Sequence, residues 1–178
     1  IYVTTNGDDA LDGTSWESSK FSIQAAIDAS SLGDTVFIAE GIYNQSIKVK
    51  DGVHLFGGYD ASTGKRNCEV HSTILDGSGL EKAIINQTST FKNITYFDGL
   101  ILQNANHSSN GGAVILKSNG ILNNCTISNC YTSGSGGAVY NSKGTIANCL
   151  IELCESMGAG GAVHNLGGTV ENTIIRGC

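Results

Sequence analysis

Proline is absent from the 178 residues, and methionine and tryptophan occur once each. Without proline, no stretch can form a Pro-rich linker or stalk. Charge is also scarce: Asp, Glu, Lys and Arg make up 15% of the chain, with 10 basic residues against 16 acidic ones. A net charge of -6, a pI near 5.0 and no basic cluster argue against nucleic acid or an anionic membrane as partner. No apolar run approaches the roughly 20 residues of a membrane helix, so no membrane span is expected. The apolar share of 40% is nevertheless too high for a disordered chain. One domain with a sizeable core is expected from this length.

What is abundant is glycine, with 24 residues, and much of it is periodic. Gly-Gly-Ala-Val occurs at 111-114, 136-139 and 160-163. Asn124, Asn148 and Asn172 are 24 apart, as are Cys130, Cys154 and Cys178; Cys125 and Cys149 share a further slot with Thr173. Leu122, Ile146 and Val170 fall in register, and so do Ile127, Ile151 and Ile175. Each copy holds short β-branched runs between Gly and Asn, none long enough for a helix. A unit of 24 residues with about three strands fits one coil of a parallel β-helix. A leucine comb is missing, which excludes leucine-rich repeats, and the unit is too short for WD40 or kelch blades.

Stacking follows from the period. Successive coils lie about 4.8 Å apart, so equivalent residues superpose. Val114, Val139 and Val163 are expected inward, with the isoleucine column and Cys125/Cys149. The column Asn124/Asn148/Asn172 falls between strands. Asn tolerates a left-handed bend and can bond amide to amide along a stack, so an asparagine ladder is expected. Ile115/Tyr140/His164 and Ser128/Glu152/Arg176 face outward, the latter with a Glu152–Arg176 ion pair. Before residue 111 the period weakens, and from Gly33 onward there is room for about six such coils. Residues 22–29 instead carry apolar Ile23, Ala26 and Ile27 at helical spacing. A helix there, with Trp16 beneath it, is expected to plug the open end of the coil stack. The chain thus divides into an N-terminal strand and capping helix, 1–33, and the coils, 34–178. Ile1 in place of Met points to a processed or partial chain, and Cys178 falls inside a repeat, so further coils are expected beyond it.

The opening Ile1-Tyr2-Val3, the run Asn6 to Trp16, Ile23-Gln24-Ala25-Ala26-Ile27-Asp28, Gly33-Asp34-Thr35-Val36 and Gly41-Ile42-Tyr43 resemble the start of secreted right-handed β-helix proteins of the pectin-lyase-like superfamily. The Gly-Gly-Ala-Val coils resemble those of bacterial surface proteins with polymorphic-outer-membrane-protein-type repeats. The resemblance implies an all-β, right-handed solenoid, secreted or on a bacterial cell surface. Its functions range over lyases, hydrolases, adhesins and passenger domains, so the site must decide.

Lyases of that superfamily use an acidic calcium cluster and an arginine base; its hydrolases use several aspartates. Hydrolysis by paired carboxylates needs two acids close in space. The repeat region holds only Glu152, Glu155 and Glu171, and the chain only Arg66 and Arg176. His54, His71, His107 and His164 are scattered without a nucleophile. Asp8, Asp9 and Asp12 before Gly13 offer oxygens to calcium, but an EF-hand loop would want a ligand at Ala10 and a Glu at Ser19. A calcium loop and a plain Asp/Gly turn both stay open. The cysteine columns read as buried free thiols or as an inter-coil disulfide, with Cys130, Cys154 and Cys178 at a corner; Cys68 has no partner in its column. The expectation is a non-catalytic adhesin or glycan- or protein-binding surface, through the flank of Tyr140 and His164. Its partners would be a polysaccharide or a host or cell-surface protein, with no cofactor unless calcium. Two alternatives remain: a polysaccharide lyase or glycoside hydrolase with its site partly outside this chain, and cargo of an outer-membrane secretion system, with secretion machinery or an outer-membrane anchor as partner.

Overall fold

The computed structural model describes residues 1–178. It is an all-β, right-handed parallel β-helix with one short helix. Its first wall is a sheet of seven strands: Tyr2–Val3, Thr35–Ala39, His54–Tyr59, Thr95–Asp98, Gly120–Asn123, Thr145–Ala147 and Thr169–Glu171. The second wall has six, beginning at Gly41–Tyr43 and ending at Ile174–Arg176; the third has five, from Ile47–Lys48 to Val163–Asn165. Three two-residue strands, including Tyr131–Thr132, bridge the second and third walls. All pairings between these strands are parallel, in the order in which the chain winds.

Register explains the Gly-Gly-Ala-Val motif. Val114, Val139 and Val163 stand opposite one another, and the first two are fully buried. The first glycine of each copy, Gly111, Gly136 or Gly160, has φ of 76°, 78° or 74°, a left-handed bend. The second is bare for another reason. A Cβ on Gly112 would overlap the Gly137 carbonyl, and one on Gly137 the Gly161 carbonyl. Coil backbones therefore pass one another with no room for any side chain.

One core cluster runs the length of the stack and includes Leu122, Cys125, Ile127, Ile146, Cys149 and Ile151. In the last coil, where no further strand stacks, Ile174 is 62% exposed and Ile175 46%. The turns are not equal, contrary to the even coils expected from Gly33 onward. Thr35 pairs with His54 after a turn shorter than the repeat, and Leu55 pairs with Phe97 after one much longer than it. Only then does the separation settle, with Thr95 opposite Gly120 and Ile121 opposite Thr145. The long turn includes residues 60–72, which leave the wall and return over it through an antiparallel bridge between Tyr59 and Arg66.

The helix Ile23–Ala29 caps the stack. Ser22 is its N-cap, its hydroxyl accepting from the Ala25 N–H at 3.1 Å. Ile23, Ala26 and Ile27 are buried against the first coil, where Val36 and Ile38 are also fully buried. The outer edge of the first wall is itself paired, Tyr2 with Phe37 and Val3 with Ile38. Trp16 does not lie beneath the helix. Strand alternation sends Val3 inward and Tyr2 outward, and Trp16 packs edge-on against Tyr2 at 4.7 Å, on the outside of the wall.

Candidate functional site

Tyr140 and His164 project outward from the third wall because Val139 and Val163, beside them, point into the core. They face each other across adjacent coils, rings 5.3 Å apart and only 4° from parallel. Both are half-buried, in a column that runs Lys48, Asn86, Ile115, Tyr140, His164. This pair is a small, stiff aromatic surface at one end of that column.

Asp8, Asp9 and Asp12 lie in one loop, yet each carboxylate is turned to its own neighbours. Asp8 accepts from the Ala10 N–H at 2.9 Å. Asp9 accepts from the N–H groups of Phe21 and Ser22, at 3.0 and 2.8 Å, and from the Ser22 hydroxyl. Asp12 accepts from Thr14 and from the Ser18 hydroxyl at 2.7 Å. The Thr14 N–H, then the Ser18 and Thr14 hydroxyls, hold the Asp12 carboxyl below its ordinary range. The cation among the loop carbonyls is the Lys20 ammonium, which donates to the carbonyls of Asp9, at 2.9 Å, and Leu11. No three His, Cys, Asp or Glu side chains stand together in a metal-holding group.

The asparagine column divides into two effects. Asn124, Asn148 and Asn172 have φ of 50°, 53° and 46°, the left-handed corner conformation. Their amides are exposed and do not bond to one another: Asn148 donates instead to Asn123 at 2.8 Å. At Asn148 the bend brings Asn123, the residue before Asn124, within reach as the acceptor. Amide rungs occur elsewhere. Asn129 donates to Asn104 at 2.9 Å, and Asn104 to Asp76 at 2.9 Å. Asn141, fully buried, donates to Asn165 at 2.9 Å and closes its own turn by accepting from the Gly144 N–H. Both Asn–Asn rungs lie at the repeat spacing but span only two coils: Leu116 precedes Asn141 in its column, and Leu153 follows Asn129, just past the paired strands.

The cysteines are free thiols: Cys125, Cys149, Cys130 and Cys154 are buried, Cys178 is exposed, and Cys68 is intermediate. Burial pushes the Cys125 thiol up, and its contact with Cys149 adds to this. Contact with Cys130, together with burial, does the same at Cys154. The buried thiols of these columns pack as small apolar side chains. Glu152 and Arg176 form an ion pair, with Nε to Oε2 at 2.8 Å. No carboxylate is hydrogen-bonded to another carboxylate; the bonded acids meet bases, amides, hydroxyls or backbone N–H groups.

A second aromatic surface lies on the outside of the first wall, and it has no periodic signature. Register places His54 beside Tyr96, and Phe56 beside Asp98. The returning loop sets the Arg66 guanidinium 5.2 Å over the Phe56 ring and 5.8 Å over Tyr59. Arg66 donates to the Gly57 carbonyl at 2.8 Å and pairs with Asp98, which also accepts from Asn123. Nearer the cap, Tyr2, Trp16, Phe37 and Tyr59 pack on one another. Beside Arg66, at the corner with the second wall, a shallow groove of about 430 Å³ is lined in part by Cys68, Gly99 and Asn124.

Residues 5–175 match a family described as Protein of unknown function (DUF1565), one associated with β-helix proteins. No curated protein and no solved structure matches the chain.

Proposed function

The chain belongs to the DUF1565 family, and from its walls we propose that it is a non-catalytic, secreted or cell-surface β-helix that binds glycan or protein ligands along its outer faces. The observation that carries this reading is the stacked Tyr140–His164 pair, held 4° from parallel on a rigid ladder. Aromatic faces fixed in space bind without losing rotamer freedom, and equivalent positions recur at each coil. Many modest contacts along such a wall sum to useful avidity for a long, repetitive ligand. Of the three repeat-region acids, Glu152 is held in an ion pair with Arg176.

The test has two arms. Purified protein incubated with uronate polysaccharides, with and without calcium, is expected to yield no new unsaturated or reducing ends. Passed over immobilised polysaccharides, it is expected to be retarded. Product formation that disappears with Asp12→Ala, Glu152→Gln or Arg176→Gln would replace this reading with a lyase or hydrolase.

A further inference from the structure

We propose that the outer face of the first wall, around His54, Phe56 and Tyr96, is a binding site for a neutral pyranose oligosaccharide. This rests on the reading of the walls as binding surfaces and adds the site and the ligand class. His54 and Tyr96 pack together on this face, and Phe56 lies beside His54 under the Arg66 guanidinium. His54 and Phe56 are 13° from parallel with centroids 6.2 Å apart, and Tyr96 leans on His54 at 5.6 Å. Tyr96 is 37% exposed, unlike Tyr2 and Trp16, which are occupied by each other.

The rim decides the chemistry. Beside the rings, the Arg66 guanidinium pairs with Asp98, whose second oxygen accepts from Asn123. Glu69 lies beside Arg66 in the same groove, so an acidic sugar would have to displace Asp98 to reach that cation. His54 Nδ1 accepts the Tyr96 backbone N–H at 3.2 Å. With Nδ1 occupied as an acceptor, Nε2 is the ring nitrogen left to bond a ligand. Ring faces flanked by planar donors and acceptors suit a pyranose, whose C–H face packs on an aromatic while its hydroxyls bond at the edges. The strands cross this face at about the inter-strand spacing of 4.8 Å, so successive sugar units of an extended chain can meet successive coils. A duplex or single-stranded nucleic acid would instead need unpaired positive charge.

The whole protein is titrated calorimetrically with cellohexaose and mannohexaose as neutral probes and with hexagalacturonate as the acidic one. At least one neutral probe is expected to bind, and more tightly than hexagalacturonate. Tyr96→Ala is expected to weaken that binding about tenfold, with thermal unfolding confirming that the variant is folded. Tyr96→Phe, which keeps the ring, retains binding, and so does Tyr131→Ala, an exposed tyrosine on a bridging strand outside the first wall. The site is overturned if neither neutral probe binds, if hexagalacturonate is preferred, or if folded Tyr96→Ala binds as the parent does. A glycan lost with Tyr140→Ala and kept with Tyr96→Ala would overturn this site alone and leave the general reading of the walls standing.

Discussion

Residues 1–98 and residues 111–178 follow the same winding by different means. The later coils are near copies: the same glycine bends, the same apolar columns and a near-constant separation between stacked positions. Their stacked aromatic pair is Tyr140–His164. The earlier turns differ in length, and the excess chain is used. The long turn between Leu55 and Phe97 brings Arg66 back over Phe56 and Tyr59, and the N-terminal loop brings Trp16 onto Tyr2. Regularity thus accompanies stacking, and irregularity accompanies clustered side chains. A repeat that must superpose on itself cannot also gather distant residues onto one spot.

The largest effect should come from the irregular end. Without residues 1–33 the edge of Thr35–Ala39 and the faces of Val36 and Ile38 are open, so the shortened protein is expected to aggregate in size-exclusion chromatography. A truncated form that elutes and melts like the parent would show that the cap is dispensable. In the regular half, Gly137→Ala forces a methyl into the Gly161 carbonyl, within two stacked backbones that cannot part. A loss beyond about 4 kcal/mol, or failure to fold, is expected in urea denaturation. Gly79→Ala is the control from the irregular half. It has open space around it and φ of 74°, so only backbone strain of about 1 kcal/mol applies.

Asp76 joins the two halves, accepting from Gln103 at 2.8 Å and from Asn104, itself bonded by Asn129. Partial burial opposes its ionisation, but the hydrogen bonds from Gln103, Ser78 and Asn104 outweigh this and bring the carboxyl down to about 2. An unfolded aspartate titrates at about 3.9. The folded form therefore binds fewer protons between those values, and the stabilisation is complete above about pH 4 and lost as pH falls through about 2. Denaturation midpoints measured down this range should fall less steeply for Asp76→Asn. An unchanged slope would assign the acid sensitivity to other carboxylates such as Asp60, which its Thr63 and Ser62 bonds also hold at about 2.

The smallest effect is a gain. Leu153 has φ of 53° and is 62% exposed, at a corner where the adjacent coils place Asn129 and Gly177. Leu153→Gly relieves the left-handed strain at the cost of unfolded-chain entropy, for a net gain of about 0.5 kcal/mol. A lower urea midpoint would show that the Leu153 side chain contributes packing.

The fold is legible in the sequence because stacking writes itself as period: spacing alone places Val114/Val139/Val163 and Ile127/Ile151/Ile175 inward. The helix Ile23–Ala29 is legible from its change of periodicity. The first-wall platform is not. His54 and Tyr96 come together across an unequal turn that no other coil repeats, so no constant offset relates them. Spacing misplaces Trp16 because its partner is set by the alternation of Tyr2 and Val3, which only the pairing with Phe37 and Ile38 reveals. The amide rungs Asn141–Asn165 and Asn129–Asn104 are masked where an apolar residue follows or precedes them in the column.

The bare passage of Gly112, Gly137 and Gly161 has a mechanical consequence. Neighbouring coils touch backbone to backbone, so tension applied along the solenoid axis is borne by hydrogen bonds in series, one interface after another. The terminal interface yields first, and the next stays loaded until a whole winding has come free. Each released winding lengthens the chain by about 80 Å at full extension. A pull across the axis meets all the bonds of a wall in parallel. The molecule should thus be compliant in one direction and stiff in the other, its regular coils spooling out under axial load in uniform steps.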